Sequence, residues 1–313
     1  MLLDEFSKVI LVNNITSVDL LGFSNLENFQ IPFFSILVII FCGTITGNLL
    51  IIVLFLLSKT LQTPMYFFIT QLSLCDILVT TDIVPILLCT ILYGGITMTL
   101  ISCIIQFSFF VMSNSSECLL LSVMSYDRYL AICNPLRYST IMNQKCCVMF
   151  VKTIWLFGFM VMFMYVIFMS NLYFCGPHVI DHFYCDLEPI MQLSCSDTSI
   201  IHKQILVVGV LNGLCPFIII VTSYVYIVIT ILKIPSNVGR HKAFSTCSSH
   251  LIVVSILYGT LIIVYMFPTR GQSLILSKVL SLSYTVLTPL LNPIIYTLRN
   301  KDFKEAFQKL KII

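Results

Sequence analysis

Seven stretches of this sequence stay apolar for longer than a soluble core needs: residues 31–57, 65–92, 101–126, 146–169, 204–232, 243–267 and 274–298. Each meets the ~20 residues that an α-helix needs to cross a hydrocarbon layer of about 30 Å. The chain as a whole is 58% hydrophobic and only 10% charged, against roughly 45–50% and 25% for soluble domains. A soluble core of 313 residues could not hold that excess. The expected fold class is an all-α membrane protein, a seven-transmembrane helix bundle over residues 31–298. A segment 1–30 lies outside the membrane, and the tail 299–313 is expected to form a short amphipathic helix.

Charge sets the expected orientation. With the N-terminus outside, thirteen of the 17 Lys and Arg residues fall on inner loops and the tail, and only Lys8, Lys203, Arg270 and Lys278 fall outside. Positive charge gathers on the cytoplasmic side of membrane proteins, so the N-terminus is predicted to be extracellular. The net charge of +3 is thus an orientation signal and gives no reason to expect nucleic acid. No cleavable signal is apparent: Asp4 and Glu5 occupy the place of a basic leader, and Asn13 and Asn14 interrupt the apolar run. The first membrane helix is expected to act as the anchor. Asn14-Ile15-Thr16 is a glycosylation acceptor that agrees with this topology.

Polar residues inside the apolar segments stand out, because an unsatisfied polar group in hydrocarbon is expensive. Asn48 in the first segment is expected to hydrogen-bond to neighbouring helices. Asp76 and Glu117 lie at membrane depth in the second and third segments, where two facing acids can share a proton or hold a cation. Asp127 and Arg128 sit where the third segment meets water and are adjacent partners. Pro135 should end that helix, since it lacks an N–H and disfavours helical geometry at Asn134. Beyond the seventh segment, Phe303, Phe307 and Leu310 share one helical face with lysines elsewhere, which suits a helix lying on the inner leaflet.

Several longer runs carry a family resemblance. Met124 to Tyr138 (MSYDRYLAICNPLRY), Pro64-Met65-Tyr66-Phe67-Phe68 within LQTPMYFFITQLSLCD, Lys242 to His250 (KAFSTCSSH) and Asn292-Pro293 through Tyr296 resemble the olfactory receptor family of rhodopsin-like G-protein-coupled receptors. Gln71 departs from the asparagine usual in the second run. The resemblance extends from about Gln30 to Lys304. It implies an odorant receptor of the plasma membrane that activates a heterotrimeric G protein, typically the stimulatory olfactory type that raises cyclic AMP.

The resemblance also assigns roles. Asp127, Arg128 and Tyr129 are the coupling triplet, and Tyr224, Lys242, His250, Asn292, Pro293 and Tyr296 fall at switch positions. No acid stands near the inner end of the sixth helix, only Arg240, His241 and Lys242, so Arg128 is expected to be held through Asp127 and Tyr224. Asp76 and Glu117 fall at a candidate sodium site, and no other cofactor is implied. Cys103, Cys175, Cys185 and Cys195 are the cysteines on the oxidising side, and four thiols allow three pairings. The family selects Cys103–Cys185 and Cys175–Cys195, which would make the long loop 170–203 a lid. His178, His182 and Cys185 lack a further convergent ligand, so a metal site is not expected there.

For the ligand, helical periodicity puts Phe107, Phe110, Val111, Asn114, Ser115 and Cys118 on one face of the third helix. Tyr258, Ile262 and Tyr265 follow the same rule on the sixth. The family places its odorant pocket between the third, fifth, sixth and seventh helices, with Val208, Asn212 and Thr285 as further lining. A transporter or channel is disfavoured by the lack of inverted repeats or a charged pore ring. An intramembrane enzyme is disfavoured because no metal motif or nucleophile–base set accompanies the acids.

Overall fold

The computed structural model describes residues 15–23, 29–266, 274–299 and 301–310, with side chains for all of these except 241–243, 245, 246, 263–266, 274, 275, 298, 299, 301 and 310. The glycosylation acceptor Asn14 and the side chains of Lys242, Tyr265 and Leu310 lie outside the described residues.

The first four long helices are α1 (Gln30–Leu57), α2 (Pro64–Tyr93), α3 (Leu100–Cys133) and α4 (Gln144–Ser170). The next, α5, runs Ser199–Gly209, passes through a π-helical turn at Val210–Leu214 and continues as Cys215–Leu232. Then come α6 (Asn237–Met266) and α7, which is Leu274–Leu282, a π-helical turn Ser283–Leu287, and Thr288–Arg299. A short α8 (Lys301–Leu310) follows. Among the described residues six of these helices are long and apolar enough to cross a membrane, and α6 adds a shorter apolar run, Cys247–Ile262. Together they form a seven-helix membrane bundle.

Local chemistry sets the boundaries. Pro64 occupies the first turn of α2, where its missing N–H costs nothing. Gly94, at φ 73°, ends the same helix in a left-handed conformation that other residues adopt only with strain. Thr99 caps α3 by accepting a hydrogen bond from the Ser102 amide at 3.1 Å. Asn134 closes α3 ahead of Pro135, whose short helix Pro135–Ile141 turns the chain toward α4. In α5 the wide turn at Val210–Leu214 precedes Pro216, so the proline falls in the first turn of the continuing helix.

The central helix is α3, buried along its length. It packs tightly on α4: a Cβ on Gly158 would meet Ser116 Oγ at 2.7 Å and the Met112 carbonyl at 3.2 Å. Asn48 bridges α1 to α7, its amide donating to the Thr44 carbonyl at 3.0 Å and the Pro289 carbonyl at 3.1 Å. Gln71 of α2 accepts from Trp155 Nε1 of α4 at 3.1 Å, which gives the departure at position 71 a structural use. The outer flanks carry exposed apolar residues, as lipid contact requires: Ile39 of α1 and Phe163 of α4 are 71% and 56% exposed.

Two features differ from the sequence expectation. One end of the bundle carries a three-stranded sheet, with β1 (Ser17–Leu20) between β2 (Ile96–Thr99) and β3 (Val179–Ile180). The β1–β2 pair is antiparallel, with Leu20 opposite Ile96, and β1–β3 is parallel, with Leu20 opposite Ile180. Val18 and Leu20 point down and are fully buried. At the other end α8 turns its apolar face to protein as well as to the surface. Phe303 is buried edge-on against the Tyr66 ring at 5.1 Å, Tyr66 donates to Asp302 at 2.6 Å, and Phe307 is left exposed.

Candidate functional site

The sheet end forms a lid. Cys103 and Cys185 form a disulfide that ties α3 to the loop, with Cα atoms 5.4 Å apart, and Cys175–Cys195 closes the loop on itself at 5.8 Å. Gln106, one turn below Cys103, accepts from the Cys185 amide at 3.1 Å and donates to the Asp82 carbonyl at 3.1 Å. Lys278 of α7 is buried here. Its Nζ donates to the Gly22 carbonyl at 2.6 Å and to Asp181 at 2.5 Å, and it lies 5.9 Å from the centre of the Phe23 ring. One ammonium thus joins α7, the N-terminal segment and the loop.

His182 sits beside this clamp, tilted against Phe183 and edge-on to Tyr184 at 4.7 Å from each ring, and among the described residues neither of its nitrogens has a partner in good hydrogen-bond geometry. Burial and the nearby Lys278 ammonium lower its pKa to about 4, with Asp181 opposing. An unfolded histidine gains its proton near pH 6.5, so between about 6.5 and 4 the unfolded chain binds more protons and acid destabilises the lid. Thermal unfolding of the purified receptor should therefore shift down on going from pH 7 to pH 4.5, with a loss of up to about 2.4 kcal/mol of stability from this group. His182→Phe keeps the ring packing and should lose that part of the shift without lowering stability at pH 7. An identical pH dependence in variant and wild type would show that the imidazole is not the sensor.

Beneath the lid, Phe110 of α3 packs on Tyr184 and on Tyr284 of α7, each at 5.8 Å, and the two tyrosine hydroxyls bond to each other. Thr285, next to Tyr284, is fully buried and donates to the Ser281 carbonyl at 2.8 Å. Deeper, Ser115 of α3 accepts from Asn212 Nδ2 of α5 at 2.8 Å, and Asn212 Oδ1 is buried without a partner. Tyr258 of α6 lies tilted against Phe217 at 5.0 Å, and its buried hydroxyl has the Cys118 thiol beside it and no oxygen or nitrogen partner among the described residues. Ser115, Cys118, Asn212 and Tyr258 are thus brought together from three helices. Phe107 lies edge-on against Tyr165 of α4 at 5.4 Å. Val111 and Asn114 are half-buried on α3, Val208 is half-buried on α5, and Ile262 is 44% exposed on the flank. Tyr184, Tyr284 and Lys278 were absent from the sequence reading of the site. Their shared signal, polar ends on residues flanking apolar runs, is too common to single them out.

Further along the bundle the switch residues gather. Asn292 Nδ2 of α7 donates to both carboxylate oxygens of Asp76, at 3.0 and 3.1 Å. The Glu117 carboxylate also lies within reach of Asn292, while its Oε1 and the hydroxyl of Thr80, one turn along α2 from Asp76, are buried without a partner among the described residues. Unpaired oxygens beside a carboxylate are the donor set a hard monovalent cation takes, so these residues fit sodium. Among the described residues no three His, Cys, Asp or Glu side chains assemble as a metal site. At the end of α3, Asp127 holds Arg128 through both Nε, at 2.9 Å, and Nη2. Tyr138 donates to the other Asp127 oxygen at 2.8 Å, and burial with the carboxylate alongside keeps its phenol above its ordinary range, a neutral donor. Tyr224 does not join this cluster. Its hydroxyl meets His250 Nδ1 at 2.7 Å, while His250 Nε2 meets the Leu121 carbonyl at 3.1 Å, so the histidine fastens α6 to α3 and α5. Tyr129 lies against Tyr226 at 6.0 Å, and the Tyr296 hydroxyl is buried and unpartnered.

Seven membrane helices carry a disulfide-tied lid over one end and buried polar groups in the interior and near the other end, an arrangement that suits a G-protein-coupled receptor. The olfactory receptor family model matches residues 34–312. Human olfactory receptor 11L1 is 44% identical over 298 residues, covering 95% of this chain and 92% of that relative. Human olfactory receptor 10A7 is 44% identical over 94% of this chain and 93% of its own length, and human olfactory receptor 11A1 is 44% identical over 96% and 95%. The chain belongs to the olfactory receptor family.

Proposed function

We propose that the receptor binds small, mostly apolar volatile molecules bearing one polar group between α3, α5, α6 and α7. Binding activates a heterotrimeric G protein of the stimulatory olfactory type and raises cyclic AMP. The observation that carries the ligand class is the sparse polarity beneath the lid: Asn212 Oδ1 is buried with no partner among the described residues, and the buried Tyr258 hydroxyl has only the Cys118 thiol beside it. Burying about 300 Å² of a small volatile contributes about 7.5 kcal/mol before association costs. Micromolar affinity already needs about 8.2 kcal/mol, so one or two hydrogen bonds decide whether a ligand is held.

A cyclic-AMP screen of the surface-expressed receptor against a panel of volatiles tests the reading. Asn212→Leu should then shift the half-maximal concentration of an oxygenated agonist up by about tenfold and spare its deoxy analogue. Equal curves for wild type and variant would move the polar contact elsewhere. A tag ahead of residue 15 that antibodies reach on intact cells checks the proposed external N-terminus and plasma-membrane location.

Sodium is proposed as an allosteric ligand of Asp76, with Thr80 and Glu117 as further oxygen donors. Sodium, compared with choline at equal ionic strength, should raise the melting temperature of the wild type and not of Asp76→Asn. No difference in the wild type would remove the ion from the account.

A further inference from the structure

The seam between α5 and α6 contains a groove of about 680 Å³ on the flank of the bundle. Val221, Val225 and Val228 of α5 and Ser255, Tyr258 and Ile262 of α6 line it. Val225 is 52% exposed and Ile262 44%, so the mouth opens toward lipid and not under the lid. The volume is that of a small-molecule site.

Three hydroxyl-bearing residues interrupt the apolar wall, Tyr224, Ser255 and Tyr258, and that of Tyr224 is already engaged by His250 Nδ1 at 2.7 Å. Ser255 and Tyr258 are three residues apart and so share a face of α6. Serines within helices commonly bond the carbonyl one turn back, as Ser108, Ser116 and Ser283 do here. Ser255 makes no hydrogen bond among the described residues, and the buried Tyr258 hydroxyl has only the Cys118 thiol, a weak partner, beside it. In hydrocarbon neither group can turn to water for compensation.

Depth decides what can meet them. At 1.5 Å per residue Ser255 lies about 16 Å along the axis from Met266 and about 27 Å from Asn237. In a hydrocarbon layer of about 30 Å that places both hydroxyls far from either headgroup region. A sterol or phospholipid, whose polar end is anchored at the interface, cannot bring an oxygen to them. A short molecule dissolved in the bilayer can.

We propose that the α5–α6 seam is a membrane-open binding site for small bilayer-dissolved amphiphiles, such as medium-chain alcohols, aldehydes and ketones, whose single oxygen bonds Ser255 or Tyr258. The site reaches Tyr258 from the lipid side and stands without the odorant reading, because its test needs no signalling.

The full-length receptor in phosphatidylcholine nanodiscs is labelled with a ten-carbon primary alcohol carrying a diazirine, and adducts are mapped by mass spectrometry. Labelling at Val225, Val228 and Ser255 is expected to saturate. Unlabelled decanol at ten times its half-saturating concentration should lower it about tenfold. Labelling at the lipid-facing Ile39 and Phe163 should rise in proportion to probe and resist competition. Gly259 also lines the groove, and no atom lies within 4 Å of where its Cβ would stand, so Gly259→Leu projects a side chain into the groove from an open position and gains helix propensity. That variant should lose the saturable labelling. The double variant Ser255→Ala, Tyr258→Phe should raise the half-saturating concentration of decanol several-fold. Seam labelling that tracks Ile39 and Phe163, or that saturates unchanged in Gly259→Leu, overturns the site. Unaltered decanol competition in the double variant overturns the hydrogen-bonding role.

Discussion

Cys103→Ser is expected to leave almost no receptor at the cell surface. The bond it removes spans 82 residues and joins two fully buried cysteines. By the chain-entropy estimate a loop of that length is worth about 4.5 kcal/mol, within the roughly 2–5 kcal/mol that loss of a native disulfide usually costs. The damage also spreads locally, because the Cys185 amide bonds Gln106, which in turn holds the Asp82 carbonyl of α2. Cys175→Ser opens a loop of only 20 residues, worth about 3.3 kcal/mol on the same scale, and should be the milder lesion. Surface staining against total receptor gives the comparison. Cys103→Ser at wild-type surface levels would mean that the lid is held chiefly by its sheet and by Lys278.

Arg128→Ala is expected to abolish cyclic-AMP signalling, on the proposed coupling to a G protein. Arg128 is nearly buried and is held by a carboxylate that Tyr138 also engages. Its guanidinium becomes available to a partner only when Asp127 lets go. Alanine leaves the fully buried Asp127 with Tyr138 alone, and breaking a buried pair from one side costs about 3–5 kcal/mol, so lower expression must be separated from lost coupling. Asp127→Asn makes that separation. It keeps an acceptor for Tyr138, frees the guanidinium, and should raise basal cyclic AMP per surface receptor. A silent Arg128→Ala beside an overactive Asp127→Asn identifies the arginine as the coupling group. Normal agonist responses from Arg128→Ala would sink the assignment.

Most of the bundle could be read from the sequence because hydrocarbon leaves the backbone little choice. The apolar runs announce helices, Pro64 and Pro135 mark ends, and a lone Asn48 must find partners across a helix interface, as it does at Pro289. Periodicity also found the α3 face that carries Ser115, whereas Asn212, which donates to it, came from the family resemblance. It gives faces, however, and not neighbours. Phe107 shares the Ser115 side of α3 yet rests on Tyr165, and Tyr224 looks as available to Asp127 as to His250 until the rotation of α6 is known.

Elsewhere the local signal was weak. Ser17–Leu20 is four residues long, and its partners lie about eighty and a hundred and sixty positions away, so nothing nearby marks it as a strand. Lys278 counted simply as a charge outside the membrane, whereas its burial depends on Gly22 and Asp181, which only the folded lid brings within reach. Phe303 matched a lipid-facing stripe because a sequence cannot distinguish lipid from Tyr66 as the apolar surface beneath it.

The order of strands in the sheet has a consequence for biosynthesis. The central strand is made first, and its parallel partner ends at Ile180, so about 160 residues must be synthesised before the sheet can close. At roughly 5–20 residues per second that is an interval on the order of 10–30 s. Throughout it Ser17–Leu20 has at least one open edge, while α1 to α4 are being inserted. A nascent receptor halted before Ile180 would carry a templating edge and an unpaired Cys103 together, the pair of features by which quality-control factors can tell an unfinished chain from a finished one.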